Sequence, residues 1–318
     1  MRYCIGVDLG GTNIAAGIVD LDTKRIVESH SVQTNAPRPC RDIAADIHEL
    51  CLELCRRFGI ALTDVEWIGA ATPGIVKDGM VFTAANLGWC DEPFRDILAE
   101  LTGRPVYIAN DANAAAFAEA IWGSGAGANH VIAITLGTGV GGGIVIGGKI
   151  WEGMNGFAAE IGHMVIDVKG RWCGCGQRGC FETYCSATAL VSETKRVMKL
   201  RPDSLMWNIS AENQGKVNGK TAFAAARRGD PPAKQVVDEF IDYLAIGVAN
   251  IINVFQPDVV CIGGGISGEG ENLLAPLREQ LQYISFGVHG LRTKVVAASF
   301  RNDAGIIGAA LLGIMEEN

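Results

Sequence analysis

The stretch "YCIGVDLGGTNIAAGIVD", residues 3–20, decides how the fold is read. Two apolar runs flank the turn Gly10–Gly11–Thr12, and Asp8 stands just before it. That is the pattern of a strand, a glycine turn and a second strand. It returns in "HVIAITLGTGVGGGIVIGG", residues 130–148, where Gly137, Thr138 and Gly139 form the turn. After the first pair, "IVESHSVQT" reads as a strand and Ile43 to Phe58 as a helix. Then come a buried strand "VEWIGAATPG", a helix "FRDILAELTG", a strand "PVYIAND" and an alanine-rich helix "ANAAAFAEAIWG". After the second pair, helices are predicted over Ala222 to Arg228 and Pro232 to Phe255. A buried strand "DVVCIGGGIS", a strand "KVVAASF" and a helix "AGIIGAALLGIME" close the chain. Alternating strands and helices predict an α/β protein with parallel sheets, here in two similar lobes.

Glycine turns of this kind suit a polyphosphate, because glycine lets backbone N–H donors approach closely. A third glycine run, Gly263 to Gly265, follows a strand, where α/β folds place ligand contacts. A single such turn reads equally well as a tight β-hairpin. The chain has no GxxxxGK[ST] loop. "GTGVGG" fits GxGxxG, but a strand follows it instead of a helix, which argues against a Rossmann dinucleotide site.

The 318 residues allow two ordinary domains. There are 35 acidic and 27 basic residues, for a net charge of −8. Without clustered Lys and Arg, this balance argues against nucleic acid and for a small-molecule partner. Asp8 interrupts the first apolar run before a signal peptide can form, and the apolar stretch near Tyr243 to Phe255 is too short to cross a membrane. The expected location is therefore the cytoplasm, where ten cysteines are not expected to form disulfides. Cys51 and Cys55 fall on the apolar face of a helix, and Cys4 and Cys261 in strands, all reading as core. "CGCGQRGCFE", residues 173–182, differs. Cys173, Cys175 and Cys180, with His163 upstream, can be free thiols or a closed tetrahedral Zn²⁺ set.

The ordered pieces "DLGGTN" (8–13), "PG" (73–74), "NLGW" (86–89), "NDANAAA" (110–116), "LGTGVGGG" (136–143), "EIGH" (160–163), "CGCGQRGCFE" (173–182), "GGGIS" (263–267) and "NDAGIIGAA" (302–310) together resemble the ROK family of sugar kinases and related repressors. The resemblance runs from end to end. It implies the two-lobed, actin-like ATPase fold of the hexokinase, actin and Hsp70 superfamily (ribonuclease H-like), with a cleft between lobes. The smaller lobe is expected over 1–110 plus 304–318 and the larger, with the zinc motif, over 111–303. A hinge is expected near Asn302 to Ala304. "NLGW" and "NDAGIIGAA" look most like glucokinases of Gram-positive type, implying ATP-dependent phosphorylation of the glucose 6-hydroxyl.

Residue by residue, the resemblance makes Asp111 the general base, a position a helix N-cap would also favour. Gly74, Asn86, Asn110, Glu160, His163 and Glu182 are expected around the sugar, which carboxylates and amides grip through its hydroxyls. Asp8 is expected to help hold Mg²⁺ through water. Gly10, Gly11, Thr12, Asn13, Gly137, Thr138 and Gly139 are expected to face the ATP phosphates, and Gly264 and Gly265 the adenosine. His163, Cys173, Cys175 and Cys180 are expected to bind a structural Zn²⁺ that organises the sugar pocket. The glycine turns lie elsewhere in the chain, so nucleotide binding is expected to depend less on the metal. Other sugars (N-acetylmannosamine, N-acetylglucosamine, fructose or allose) are the competing substrates. A sugar-responsive repressor would carry a basic helix-turn-helix ahead of the fold, and a phosphate loop starting at residue 8 leaves no room for one. The resemblance also implies a homodimer. Residues 201–219, polar and turn-rich, have no assigned role.

Overall fold

In the computed structural model, which describes residues 1–287 and 292–317, both strand–turn–strand elements form. The chain runs β1 (Tyr3–Leu9), β2 (Asn13–Asp20), β3 (Arg25–Gln33), α1 (Cys40–Phe58), β4 (Val65–Thr72), β5 (Ile75–Lys77), β6 (Met80–Ala84), β7 (Trp89–Glu92), α2 (Phe94–Thr102), β8 (Val106–Asn110) and α3 (Asp111–Ile121). It continues β9 (His130–Leu136), β10 (Val140–Ile146), β11 (Lys149–Ile150), α4 (Glu182–Cys185), α5 (Ala187–Leu200), α6 (Met206–Glu212), α7 (Thr221–Arg227) and α8 (Pro231–Phe255). It ends β12 (Val259–Gly263), α9 (Glu271–Ile284), β13 (Lys294–Ala297) and α10 (Ala304–Glu317).

The first sheet has the order β3-β2-β1-β4-β8. β1 and β2 are antiparallel, whereas β1/β4 and β4/β8 are parallel. β1 and β4 are buried almost continuously, as strands covered on both faces must be, while β3 at the edge alternates between exposed and half-buried residues. One face packs on α1, whose Ile43, Ile47, Leu50, Cys51 and Leu54 join Ile5, Val7, Ile14 and Ile18 in one core. Cys4, Val19 and Trp67 pack instead with Ile306 and Ala310 of α10. Three glycines make that second packing possible. Gly17, Gly6 and Gly69 are direct neighbours across β2, β1 and β4. A Cβ on Gly6 or Gly69 would collide with the carbonyl of Ile306 or Ala309, so the strip lets the backbone of α10 lie on the sheet. Trp67 Nε1 donates to Ala310 O at 2.8 Å and locks the position. A small antiparallel sheet, β5-β6-β7, completes this part.

The second five-stranded sheet has the order β11-β10-β9-β12-β13, with β12 and β13 parallel. Packing divides the chain into two units: Met1–Val131, Gly143–Ala159 and Ser299–Asn318 form one, and Ile132–Gly142 with Glu160–Ala298 the other. The expected boundary at residue 110 separated β8 from α3. α3 stays with the first unit because it packs against α10 so closely that a Cβ on Gly308 would strike Ala114 O.

Helices α5, α6 and α9 were not anticipated. α9 buries Leu273, Leu274, Leu277 and Leu281, a helical spacing that Pro276 in its second turn disguises. The segment 201–219 holds α6, and Ser204 Oγ donates to Asp230, the buried N-cap of α8, at 2.6 Å. That gives the segment a structural task.

Candidate active site

In the first unit the expected residues gather at the C-terminal ends of parallel strands, the usual ligand edge of an α/β sheet. Asp8 lies near the end of β1, Gly74 just past β4, and Asn110 ends β8. The N-cap of α3 is Asn110, not Asp111. Asn110 Oδ1 accepts from Ala112 N at 3.0 Å and Asn113 N at 3.2 Å, and Asn110 Nδ2 donates to Gly74 O at 2.9 Å. Asn110 thus fixes both the helix start and the turn at Gly74. That turn needs glycine twice over, since φ is +95° and a Cβ would collide with Thr83 O.

With the cap assigned to its neighbour, Asp111 has one oxygen on Ala112 N at 2.8 Å. Its side chain is exposed, with part of its hydration lost to neighbouring protein. This lost hydration raises its carboxyl above the ordinary value, although the Ala112 N–H works in the opposite direction. Asp8 is raised to about 6, first by burial and second by the charge of Asp111. The charge of Asp111 therefore reaches Asp8 at the end of the sheet. A site holding two such groups near one pole is suited to a cation beside one and a proton transfer at the other.

The first glycine turn is braced by its own sheet. Gly10 N donates to Asn13 O at 2.9 Å, and Thr34, one residue past β3, donates from N to Thr12 O at 2.8 Å and from Oγ1 to Gly10 O at 2.7 Å. Asn13 Oδ1 accepts from Gln33 Nε2 at 2.7 Å. Gly11 faces Asn86, whose Cβ would lie 3.1 Å from a Cβ added at Gly11.

In the second unit, Gly137 N closes the other turn on Gly139 O at 3.0 Å. Gly264, at φ +81°, presses on the backbone of Leu136, and Gly265 begins the short 3₁₀ turn that follows β12. Glu160 precedes another 3₁₀ turn, Ile161–His163, which lies directly on β10, because a Cβ on Gly162 would meet Val140 O. Glu182 opens α4, and its Oε2 accepts from Val140 N at 3.0 Å. Ala187 N donates to Gly137 O at 2.7 Å, and Thr188 Oγ1 to Thr138 O at 2.8 Å.

The donor atoms of His163, Cys173, Cys175 and Cys180 all lie within 4.8 Å of one another. Cys173 Sγ is 3.7 Å from His163 Nδ1, and Cys175 Sγ is 3.6 Å from Cys180 Sγ. A tetrahedron built on Zn–S bonds of about 2.3 Å has edges of about 3.8 Å, so the cluster fits zinc and leaves no ligand position open. Burial pushes the Cys180 thiol up to about 12, while the Gln177 N–H lowers that of Cys175. A bound metal would displace both protons. The loop also has a non-metal anchor. Tyr184 Oη donates to Asp167 at 2.9 Å and accepts from Arg171 N at 3.0 Å, and the Arg171 guanidinium stacks 4.7 Å above the Tyr184 ring.

Residues 4–316 match the profile of the ROK family. The chain belongs to the ROK family. The glucokinase of Thermotoga maritima is 39% identical over 310 residues, covering 96% of this chain and 95% of that one. The glucokinase of Halalkalibacterium halodurans is 37% identical over 326 residues, covering 100% and 96%. The crystal structure of a ROK family glucokinase from Streptomyces griseus in complex with glucose and AMPPNP superposes with a TM-score of 0.80, at 37% identity, covering 99% of this chain and 100% of that one.

Two features of this ROK chain escaped the sequence reading. Thr34 and Thr188 hold the two turns, but each is a lone threonine with no local pattern to mark it. Gly305 lies in the first turn of α10, where a Cβ would strike the carboxylate of Asp8. An open groove of about 690 Å³ along β3 and α1, lined by His30, Gln33, Asp46 and Glu53 among others, contains none of the expected residues. Among the described residues, no helix is long and apolar enough to cross a membrane.

Proposed function

We propose that this chain is an ATP-dependent glucokinase, transferring the γ-phosphoryl group of ATP to the 6-hydroxyl of glucose. Similarity to glucokinases over essentially the full length carries the reading. The placement of Asp8 and Asp111 supports it. In this reading the sugar oxygen attacks the γ-phosphorus, the bond to ADP breaks, and the hydroxyl proton passes to Asp111. Burial raises the basicity of Asp111, which brings a general base closer to its working range. Asn110 holds Asp111 at the first position of α3 and, through Gly74, shapes the sugar's border. Asn86, Glu160, His163 and Glu182 supply the remaining sugar contacts.

Asp8 would hold Mg²⁺ by way of its waters, and that ion would neutralise phosphate charge. Gly10, Gly11, Thr12, Asn13, Gly137, Thr138 and Gly139 would present N–H and hydroxyl donors to phosphate oxygens, with Gly264 and Gly265 near adenosine. Zinc takes no part in the chemistry and orders the loop that carries His163 and Glu182. The proposed assembly is a cytoplasmic homodimer, which sedimentation of the purified chain would check. A coupled assay with ATP and Mg²⁺ tests the substrate. Glucose is expected to give the highest kcat/KM among hexoses and N-acetylhexosamines. N-Acetylmannosamine, N-acetylglucosamine, fructose or allose ahead by about tenfold would replace glucose as substrate and leave the kinase class standing.

A further inference from the structure

Glu119 is a carboxylate buried in α3, 2% exposed, two turns beyond Asp111. Its Oε1 accepts from Ser299 N at 2.7 Å and Phe300 N at 2.9 Å, and its Oε2 from Ser124 N at 2.9 Å. Ser124 and Ser299 also share a hydroxyl–hydroxyl bond of 2.7 Å. Room for the carboxylate depends on Gly123, where a Cβ would collide with it. The position is a junction in the chain, because the first unit resumes at Ser299. Five residues further on, α10 begins, and Gly305 in its first turn lies against Asp8. Between the clamp and the helix, Arg301 is held at φ +49°, a left-handed conformation unfavourable to a residue with a side chain. Strain of this kind persists only where the surroundings over-determine it.

We propose that Glu119 is a positioning residue for the phosphoryl-transfer site. Its carboxylate pins the passage 299–303, and through that passage sets the first turn of α10 against Asp8. The proposal rests on the kinase reading above for its effect on turnover and on geometry for the clamp itself. A carboxylate suits the task because it only accepts, and three main-chain donors converge on it. A glutamine must turn an NH₂ group toward either Ser124 N–H or the Ser299–Phe300 pair. The expected hinge near Asn302 to Ala304 thus falls just past the clamp, on its Asp8 side.

The test uses the full, zinc-loaded chain and the variant Glu119→Gln. Turnover is expected to fall about 10- to 100-fold, the scale of a misplaced reacting group. Glucose KM should stay close to the parent value, and the Mg²⁺ concentration for half-maximal rate should rise. Hydrogen exchange should quicken over Ser299 to Gly305 and stay unchanged over residues 160–182. Parental turnover, or a loss matched by the unfolded fraction, overturns the proposal, since a purely structural cap would behave so. If Glu119→Gln does not fold, Gly305→Ala decides. It presses on Asp8 with the clamp intact, and undiminished turnover there also overturns the proposal. A parent chain that makes no glucose 6-phosphate fails the kinase reading instead, and the exchange measurement still decides whether Glu119 governs the start of α10.

Discussion

The two glycine turns read alike in sequence and are supported differently in the structure. The first, residues 10–12, is braced by Thr34 at the edge of its own sheet. The second, residues 137–139, is held by Glu182, Ala187 and Thr188, which follow Cys180 of the His163–Cys173–Cys175–Cys180 cluster within a few residues. The lesson is that one motif can have two sources of rigidity. The expectation that nucleotide binding depends less on the metal, because the glycine turns lie elsewhere in the chain, does not take account of these bonds to the second turn. Glu182, expected as a sugar contact, also accepts from Val140 N through Oε2, and its Oε1 lies 3.9 Å from Cys173 Sγ.

The largest effect tests where the chemistry sits. Asp111→Asn keeps the size of the side chain but cannot take a proton, and kcat should fall about 10²- to 10⁴-fold with glucose affinity nearly unchanged. A loss of the same size from Thr188→Val at the second turn would break the assignment of the chemistry to the side of the first.

Next in size is the metal. The purified chain should contain about one zinc, as a single four-ligand set requires. Cys175→Ser should lose it, because a serine hydroxyl is a poor ligand at neutral pH. Apparent affinity should fall about 10- to 100-fold for glucose, the scale of losing an organising shell, and ATP affinity should fall with it through the second turn. Isothermal titration of each ligand checks this, and an unchanged ATP affinity would abolish the distinction between the turns. The fold itself should survive, since the Arg171–Tyr184–Asp167 anchor and the large core between the first sheet and α1 do not involve the metal.

A third, smaller effect belongs to the first turn's side alone. Asp8 is raised to about 6, so it is protonated at lower pH. The Mg²⁺ concentration for half-maximal rate should rise about tenfold for each pH unit below that value, the behaviour of a ligand that must lose a proton to bind. Asp8→Asn should flatten that profile. The stability linkage has the opposite sense. The buried acid is favoured in its neutral form, so its contribution is fully present below the unfolded carboxyl value near 4 and is lost as pH rises through about 6. Removing the charge with Asp8→Asn should raise the thermal midpoint of the ligand-free protein at pH 7. The smallest effect is Thr34→Val, which deletes the bond to Gly10 O. It should cost about 1 kcal/mol, seen as a few-fold weaker ATP binding with zinc content unaltered.

What the sequence disclosed follows from where each signal is stored. The strand–turn–strand pairs, the main helices and the cluster of one histidine and three cysteines were legible because their patterns are local: apolar runs, glycine clusters and four candidate ligands within eighteen residues, which the resemblance then assigned to zinc. The resemblance added Asp111 as the base, while Asn110 as the cap required seeing two N–H groups converge on it. α5 and α9 lay hidden because mixed polar residues, and Pro276 in α9, dilute their spacing. The bonds of Thr34 to Gly10, Thr188 to Thr138 and Glu119 to Phe300 span 24 to 181 residues, and no local pattern announces such partners.

The seating of α10 on the strip of Gly17, Gly6 and Gly69 has a consequence for biosynthesis. Ribosomes make β1 and β4 first and α10 some 230 residues after β4, an interval read from the order of elements. Throughout that interval the face carrying Cys4, Val19 and Trp67 lacks Ile306, Ala310 and Ile314 of α10, which pack on it in the finished chain. The unit of Ile132–Gly142 and Glu160–Ala298 contains the material for its own core and can settle while the first sheet waits. The nascent chain therefore exposes an apolar β surface late into synthesis, the condition under which folding helpers are most needed. A premature stop before Ala304 should leave a product that aggregates, although every residue assigned to sugar, phosphate and metal is already present in it.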